Sequence, residues 1–304
     1  MKNKIISLLA GVALFGATAN ADIAIAEGLT AYGYIDMGAT DFESGTAGVD
    51  GDRSQDFTEY EIGLSFSPAE SQWSAVVELS YGKAGDDSNQ PGSGATTSFE
   101  TAAVTYQHND ALSFSFGNLY TFQGLESDDA PNNDFISYAG RNGDDLYAAN
   151  YVEGIAAVYS QGDITLAAWA EGSANSSFQY YASYSGIENL TLAVAIIEYD
   201  PVTVGDSTNV MATYEIGDFT ISAENVDTDN DLDVTSVAVA YNLGDTTIAV
   251  RSVDGDYGTT NYEKASIAAF HALSDNVAAG IEYSDEEFGT NESKGVAVEL
   301  LYVF

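Results

Sequence analysis

The chain has 304 residues, no cysteine, and 47 acidic residues against 8 lysines and arginines, for a formal net charge of −39. The lack of cysteine excludes disulfides, thiol catalysis and cysteine metal sites. The charge argues against nucleic acid as a partner, because phosphates are bound by lysine and arginine. Aromatic residues make up 12% of the sequence and hydrophobic residues 45%, which disordered acidic tails lack.

The first 21 residues have the three-part organisation of a secretory signal. Two lysines and an apolar run from Ile5 to about Ala17 precede the small-residue cleavage site Ala19-Asn20-Ala21. The run is short for a retained membrane helix. We therefore expect residues 1–21 to be removed on Sec-dependent export and residues 22–304 to form the mature protein. No later apolar run approaches the length of a membrane-spanning helix.

From residue 29 onward, apolar and polar residues alternate in segment after segment. In WSAVVELSY, residues 73–81, Trp73 and Leu79 fall on one face while Ser74 and Glu78 fall on the other. A period of two is typical of β-strands. The same period recurs in residues 59–66, 112–116, 210–216, 219–224, 237–243 and 277–283.

Short and long connections alternate between the predicted strands. The short ones are 67–72, 108–111, 161–163, 186–189, 217–218, 244–245 and 274–276. The long, acidic ones are 39–56, 82–98, 121–143, 172–177, 200–207, 228–233, 255–261 and 287–293. Short turns at one end and long loops at the other are typical of a transmembrane antiparallel up-and-down β-barrel of the outer membrane.

The number of strands depends on residues 145–160, DLYAANYVEGIAAVYS. If this segment is one long strand, the barrel has sixteen strands and both chain ends lie at the short-turn end. If it is two short strands, the count changes within an even range of about 14 to 18. We take sixteen strands as the prediction.

A soluble, secreted β-sandwich or β-solenoid is the main alternative to a membrane barrel. Against it, Trp, Tyr and Phe recur near strand ends on the same face as Val and Leu, as in the aromatic girdles of membrane barrels. The opposite faces carry Glu, Ser, Gly and Thr, which suit a polar lumen. The pattern favours the membrane barrel.

Carboxylates in strand centres should point into the lumen, because charge on the lipid face is costly. Any one of them can be a solvated wall residue without a special role. Together they should create a field of one sign that concentrates cations. With Arg251, the predicted lumen-wall residues are Glu59, Glu61, Glu78, Glu215, Glu224, Glu282 and Glu299.

Three stretches in a fixed order carry a family resemblance. LTAYGYIDMG, residues 29–38, matches an opening Y-G-x-hydrophobic-D-x-G pattern through Tyr32, Gly33, Ile35, Asp36 and Gly38. Residues 121–143 form the longest loop, after the fifth predicted strand. The last strand alternates to a terminal aromatic through Val296, Val298, Leu300, Tyr302 and Phe304. On these stretches the chain resembles the general porin family of Gram-negative outer membranes.

The resemblance implies roles for the long loop and the last strand. The third external loop of the family folds into the barrel and forms the constriction, so Glu126, Asp128, Asp129 and Asp134 become candidate constriction acids. The Gly-Arg that often follows this loop is matched by Arg141. The last strand resembles the signal read by the barrel-assembly machinery. Outer-membrane lipid and two further copies of the chain, in a homotrimer, are the other partners implied.

The chain departs from the family on its early strands. Porins usually place several arginines there, opposite the loop acids, but this sequence has Glu59, Glu61 and Glu78. We therefore expect a mostly acidic throat. The predicted function is a water-filled outer-membrane channel for passive diffusion of small hydrophilic solutes and ions, with a preference for cations.

Two other functions fit the same barrel. A substrate-specific channel, for example for sugars, has candidate stacking residues in Tyr32, Tyr34, Tyr180 and Tyr181. A non-conducting structural or adhesive surface barrel is a further alternative. Saturable conductance would indicate the first, and absence of conductance the second.

Enzymatic and cofactor chemistry finds little support. The two histidines fall in or near predicted periplasmic turns, and neither a serine-hydrolase motif nor a phosphate-binding glycine loop occurs. We expect no enzyme activity and no cofactor. DTDNDLD, residues 227–233, lacks the glycine and glutamate of a calcium-binding EF-hand, so Asp227, Asp229 and Asp231 are candidates only for weak binding of Ca²⁺ or Mg²⁺ in a loop.

Overall fold

The computed structural model describes residues 23–44, 53–81, 97–127, 129–140, 146–147, 151–172, 177–199, 205–229 and 232–304. Nearly all of them are strand. Within these residues, no helix is both long enough and apolar enough to cross a membrane. A single 3-10 turn is described, Ala130–Asn132, in the loop that follows the fifth barrel strand.

The first strand, β1, spans Ile23–Ala26. The barrel strands are β2 Leu29–Ser44, β3 Arg53–Phe66, β4 Trp73–Tyr81, β5 Thr97–Gln107, β6 Leu112–Tyr120, β7 Tyr151–Gln161, β8 Ile164–Glu171, β9 Ser177–Ile187, β10 Leu190–Tyr199, β11 Ser207–Ile216, β12 Phe219–Thr228, β13 Leu232–Leu243, β14 Thr246–Tyr257, β15 Thr260–Ser274, β16 Val277–Phe288 and β17 Asn291–Val303.

Strands β2 to β17 form a closed antiparallel barrel of sixteen strands. Each pairs with the next in sequence, and β17 pairs with β2, with Tyr302 opposite Ile35. The short β1 pairs with the beginning of β2. The predicted architecture and strand count are confirmed, and the segment on which the count depended contributes the single strand β7.

The turns at one end of the barrel are short, as predicted. Gly162, Gly217 and Gly244 lie in such turns with φ near +60°, a conformation that glycine adopts without steric cost. At the opposite end, two predicted loops are wrong. Residues 255–261 and 287–293 are mostly strand, joined by the two-residue turns 258–259 and 289–290, where Gly258 and Gly289 have φ of 66° and 61°.

The outward face of the barrel is apolar, the reverse of a soluble protein. Val250, Ile267 and Ile281 are 46%, 50% and 52% exposed, whereas the neighbouring inward-facing Arg251 and Glu282 are buried. Bare apolar side chains around a closed barrel are what contact with lipid requires. Beyond this band, the outward positions are acidic and lie opposite one another across adjacent strands, as in Asp254, Glu263, Glu287 and Glu292.

The last residue closes the barrel against β2. Phe304 N donates to Gly33 O over 2.9 Å, and Gly33 N donates to Phe304 O over 2.8 Å. The Phe304 and Tyr302 rings stack with centroids 6.1 Å apart. The other residues of the predicted assembly signal are outward and exposed: Val296, Val298, Leu300 and Tyr302.

Gly33 allows the close approach of β2 and β3 at this seam. A Cβ atom at Gly33 would lie 2.1 Å from the carbonyl oxygen of Glu61, so the strands would have to separate. Gly33→Ala should therefore lower the free energy of unfolding by about 1 to 3 kcal/mol, measured by urea denaturation of the folded barrel in lipid vesicles. Gly172→Ala is the matched control, because its nearest atom would be 3.8 Å away. Equal effects of the two substitutions would contradict the prediction.

Candidate functional site

The candidate site is the interior of the barrel, where the loop after β6 contacts the inward face of the wall. This loop, described for residues 121–127, 129–140 and 146–147, bonds to inward-facing side chains on several strands. Thr121 Oγ1 donates to Gln179 Oε1 on β9 over 3.0 Å. Gln123 Nε2 donates to Ser207 Oγ on β11 over 2.6 Å. The loop therefore follows the wall formed by the middle strands.

A buried carboxylate on β12 holds the next part of the loop. Glu224 accepts hydrogen bonds from the amide of Leu125 at 3.3 Å, from Asn209 Nδ2 at 3.1 Å and from the Tyr147 hydroxyl at 3.0 Å. The Tyr147 oxygen in turn accepts from the amides of Leu125 and Glu126. Glu224, predicted to line the lumen, is thus covered by the loop.

The strongest anchor of the loop is Arg251 on β14. Arg251 is only 4% exposed. It forms an ion pair with Glu126 of the loop and donates to the carbonyl oxygens of Ser137 at 2.7 Å and Tyr138 at 3.1 Å. It also lies 4.3 Å from the centre of the Phe135 ring. Arg251, which was predicted to line the lumen, is therefore buried between the barrel wall and the loop.

Residues on β15 and β16 complete this anchor. Glu282 accepts from the amides of Ile136 at 2.7 Å and Ser137 at 2.8 Å. Lys264 Nζ donates to Tyr138 O at 2.5 Å. Tyr262 OH donates to Ala139 O at 2.9 Å. Because the wall supplies donors and acceptors for consecutive backbone groups, residues 136–139 are fixed without secondary structure of their own.

Apolar packing supports the same contact. Phe135 packs in a cluster with Ala240, Ala249, Ala268 and Phe270, which face inward from β13, β14 and β15. A second cluster joins Ala139, Leu146 and Tyr147 of the loop to Val226, Val234, Val253 and Tyr262. The inward face is therefore apolar where the loop lies against it.

The inward face of β17, β2 and β3 is acidic. Asp36 on β2 lies directly across from Glu59 on β3, and Asp36, Glu59, Glu61 and Glu299 are all buried. Tyr34 OH donates to Glu59 Oε1 over 2.6 Å. One oxygen each of Asp36, Glu61 and Glu299 has no hydrogen-bond partner among the described residues. This part of the wall therefore concentrates buried carboxylates.

The predicted constriction acids differ in position. Glu126 is paired with Arg251. Asp129 precedes the 3-10 turn, and its Oδ2 accepts from Asn132 Nδ2 over 3.1 Å. Burial raises the pKa of the Asp134 carboxyl to about 6, so this group loses its charge at a less acidic pH than an exposed aspartate. Asp128 and Arg141 lie outside the described residues.

The predicted lumen-wall residues all lie on the inward face. Glu59, Glu61, Glu224, Glu282, Glu299 and Arg251 are buried, Glu78 is half-buried, and Glu215 is exposed near the short turn 217–218. Tyr32 OH donates to Glu78 Oε1 over 2.5 Å. Of the candidate weak metal ligands, Asp227 lies on the outward face of β12, opposite Asp233. Asp229 follows the end of β12, and Asp231 lies outside the described residues.

Sequence reasoning missed Glu100, Tyr262 and Lys264 as wall residues. Glu100 is inward and buried, but the register of β5 against β4 shifts between Val77 and Leu79, so simple alternation fails around it. Tyr262 directly follows residues 255–261, which were predicted as a loop. For Lys264, the alternation with outward-facing Ile267 was a usable signal.

The chain is similar to known proteins in both sequence family and fold. A family model described as Gram-negative porin matches residues 8–291. Among solved structures, a variant of Rhodopseudomonas blastica porin with five substitutions is 19% identical, with a TM-score of 0.66 over 91% of this chain and 100% of that chain. A triple mutant of the same porin gives the same identity, coverage and TM-score. No curated protein sequence matches this chain significantly.

Proposed function

Since the chain belongs to the Gram-negative porin family, whose members are outer-membrane diffusion channels, we propose that it passes small hydrophilic solutes and prefers cations. The fold, a closed barrel of sixteen strands with an apolar outer face, agrees with the structures of that family. The family and the barrel place the protein in the outer membrane in contact with lipid. Porins are channels rather than enzymes. The preference for cations is our proposal.

The observation that carries this proposal is the unequal exposure of charges on the inward face. Among the described side chains, the inward-facing cations are Arg251 and Lys264, and both are at most 4% exposed and bonded to the loop. Lys294 faces outward, next to Asp285. Inward carboxylates such as Glu78 and Glu215 keep contact with solvent. Water in the lumen therefore meets mainly negative charge, which attracts cations.

The loop contacts support a constriction role. Loop residues in the described segments 121–127 and 129–139 bond to inward side chains of β9, β11, β12, β14, β15 and β16. Asp129 reaches the carboxylates of Glu61 and Glu100 on β3 and β5. A segment that contacts strands on different sides of the barrel, such as β3 and β11, narrows the passage between them. We propose that it forms the eyelet, with its acids at the narrowest point.

Ion selectivity tests the proposal directly. Under a tenfold gradient of KCl, the zero-current potential of the purified protein in a planar bilayer should have the sign of cation preference. Glu78→Gln combined with Glu215→Gln should lower the cation-to-anion permeability ratio by about twofold or more, because both carboxylates face the lumen. Unselective or anion-selective conductance of the natural protein would refute the proposal.

A matched variant distinguishes the effect of lumenal charge on ion selectivity from the effect of the protein's total charge. Glu263→Gln removes an exposed carboxylate from the outward face of β15. Its permeability ratio should equal that of the natural protein. An equal loss of selectivity in this variant would mean that the inward carboxylates are not the source.

The tyrosine track of a sugar-specific channel receives no support. Tyr180 is 42% exposed on the outward face, whereas Tyr34 is buried and bonded to Glu59. Tyr32 and Tyr181 face inward from strands on different sides of the barrel. The four rings therefore do not form one continuous surface along the lumen.

Family membership also supports three assembly proposals. We propose that residues 1–21 act as a secretory signal, that the protein forms a homotrimer, and that the barrel-assembly machinery reads the last strand. The outward alternation from Val296 to Phe304 supports the last of these. Residues 1–22 lie outside the described part of the chain.

A further inference from the structure

A polar pair lies on the outward face of the barrel, close to the end with the short turns. His271, near the end of β15, is exposed, and its Nδ1 atom lies 2.9 Å from Thr246 Oγ1 at the beginning of β14. The short turns of outer-membrane barrels face the periplasm. The pair therefore faces the periplasmic leaflet of the membrane.

The outward surface around this pair is apolar. The residues beside it on the same strands and on their neighbours are Leu243, Ile248, Ala269, Leu273 and Ala279. Leu243 and Leu273 are each 58% exposed. Polar side chains on a surface that contacts lipid are unfavourable unless a polar partner satisfies them. The surroundings of the pair thus call for a partner outside the protein.

A count of hydrogen-bond donors shows what that partner must supply. A neutral histidine carries one N–H group and a threonine one O–H group, and only one of the two hydrogens can lie between Thr246 and His271. In either tautomer of the imidazole, one donor remains. Neither side chain makes another hydrogen bond within the residues that the structure describes. The partner must therefore be an acceptor, and phosphate oxygens are the strongest acceptors of a lipid headgroup.

A neighbouring carboxylate narrows the choice of headgroup. Asp245 directly precedes Thr246 and is exposed in the short turn between β13 and β14. A headgroup with a phosphate as its single charge is repelled by this carboxylate. A headgroup that also carries an ammonium group suits both, because its N–H groups can donate to Asp245.

We propose that His271, Thr246 and Asp245 form a binding site for a phospholipid whose headgroup carries a phosphate and a primary ammonium group, as phosphatidylethanolamine does. The phosphate accepts the remaining hydrogen bond of the polar pair, and the ammonium group donates to Asp245. The small side chains of Ala269 and Ala279 leave room beside His271 for an acyl chain. The proposal requires only the folded barrel, so it is independent of the proposed ion selectivity.

Lipid binding to the purified, folded protein in detergent, followed by native mass spectrometry, is the test. Separate titrations use phosphatidylethanolamine, phosphatidylcholine, whose quaternary ammonium has no N–H group, and phosphatidylglycerol, which has no ammonium group. The natural protein should bind phosphatidylethanolamine about fivefold more tightly than either of the others, because only this headgroup makes the hydrogen bond to Asp245.

Three variants test the assigned residues. His271→Gln and Thr246→Val should each weaken binding of phosphatidylethanolamine by about fivefold, since each disrupts the donor pair. Asp245→Asn should remove the preference for phosphatidylethanolamine over phosphatidylcholine. His108→Gln is the matched control, because His108 lies in another short turn at the same end of the barrel, and its lipid binding should equal that of the natural protein.

The outcomes decide the proposal in either direction. Weaker binding in His271→Gln and Thr246→Val, with His108→Gln unaffected, supports it. Unchanged binding in either test variant overturns it, and an equal loss in His108→Gln does the same, because it indicates unspecific attraction of lipid to histidine at this end. Equal binding of the three lipids, or an unchanged preference in Asp245→Asn, overturns the assignment of the headgroup.

Discussion

Replacing Arg251 with methionine should lower the free energy of unfolding by about 3 to 5 kcal/mol, the cost of removing one partner from a buried ion pair. The substitution leaves Glu126 without its guanidinium partner and removes the donors to Ser137 O and Tyr138 O. The methionine side chain keeps most of the volume next to Phe135. Urea unfolding in lipid vesicles, followed by tryptophan fluorescence, measures the loss, and the freed loop should make single-channel current noisier.

Lys294→Met provides the matched control for this prediction. Lys294 is also paired with carboxylates, Asp285 and Glu292, but its side chain is 43% exposed. Exposed pairs contribute at most about 1 kcal/mol. Adding Glu126→Gln to Arg251→Met should restore part of the lost stability, because the uncompensated buried charge disappears. Similar costs for Arg251→Met and Lys294→Met would show that the loop anchor contributes little.

Deletion of Phe304 should destabilise the closed barrel by about 2 to 4 kcal/mol, from two lost backbone hydrogen bonds and part of an aromatic side chain. Both bonds join Phe304 to Gly33, and its ring stacks on Tyr302. Refolding of the purified chain into lipid vesicles measures this structural contribution. In cells, the amount of assembled barrel should fall further than refolding alone explains, if the assembly machinery reads the terminal residue.

Phe304→Tyr tests whether the last residue must be phenylalanine or only aromatic. The substitution keeps both backbone hydrogen bonds to Gly33 and an aromatic ring, so both refolding and cellular assembly should be close to normal. A deletion variant that refolds and assembles like the natural protein would contradict the role assigned to this residue. A deletion that fails equally in both settings would assign the whole effect to the closing strand pair.

The strands could be predicted because each one must present apolar residues to lipid and polar residues to the lumen. Lipid outside and polar groups inside impose a period of two, which is visible in a single sequence, as in residues 73–81. The alternation of turn and loop lengths then gave the strand count. The register of the closing pair involves partners far apart in sequence, such as Tyr302 and Ile35, and local patterns contain no information on it.

The predicted loops at 255–261 and 287–293 failed for an identifiable reason. Outward residues in and beside these two segments, such as Asp254, Glu263 and Glu287, lie beyond the apolar band, so the sequence becomes acidic while the backbone still pairs as strand. The alternation of apolar and polar residues marks only the part of a strand that contacts lipid. It does not reveal the part of the strand that extends beyond the apolar band. The boundaries were therefore placed at the edge of the apolar band.

The loop anchor could not be predicted from composition. Arg251 and Glu126 are 125 residues apart. The strands that receive Phe135 carry apolar residues on their inward faces as well as on their outward faces. In β14, outward Val250 and inward Ala249 and Val253 blur the alternation that elsewhere marks a lumenal face. Family resemblance indicated which loop matters, and only tertiary structure shows what holds it.

The pairing of β17 with β2 makes the hydrogen-bonded ring continuous, so that no strand pair differs in kind from any other. In such a ring the chain could begin and end between other strands without changing the neighbours of any barrel strand. A circularly permuted chain, joined across the β1 and β17 ends and opened within the two-residue turn 289–290, keeps every barrel strand beside its present neighbours. We therefore expect a permuted chain of this kind to fold into the same sixteen-stranded barrel.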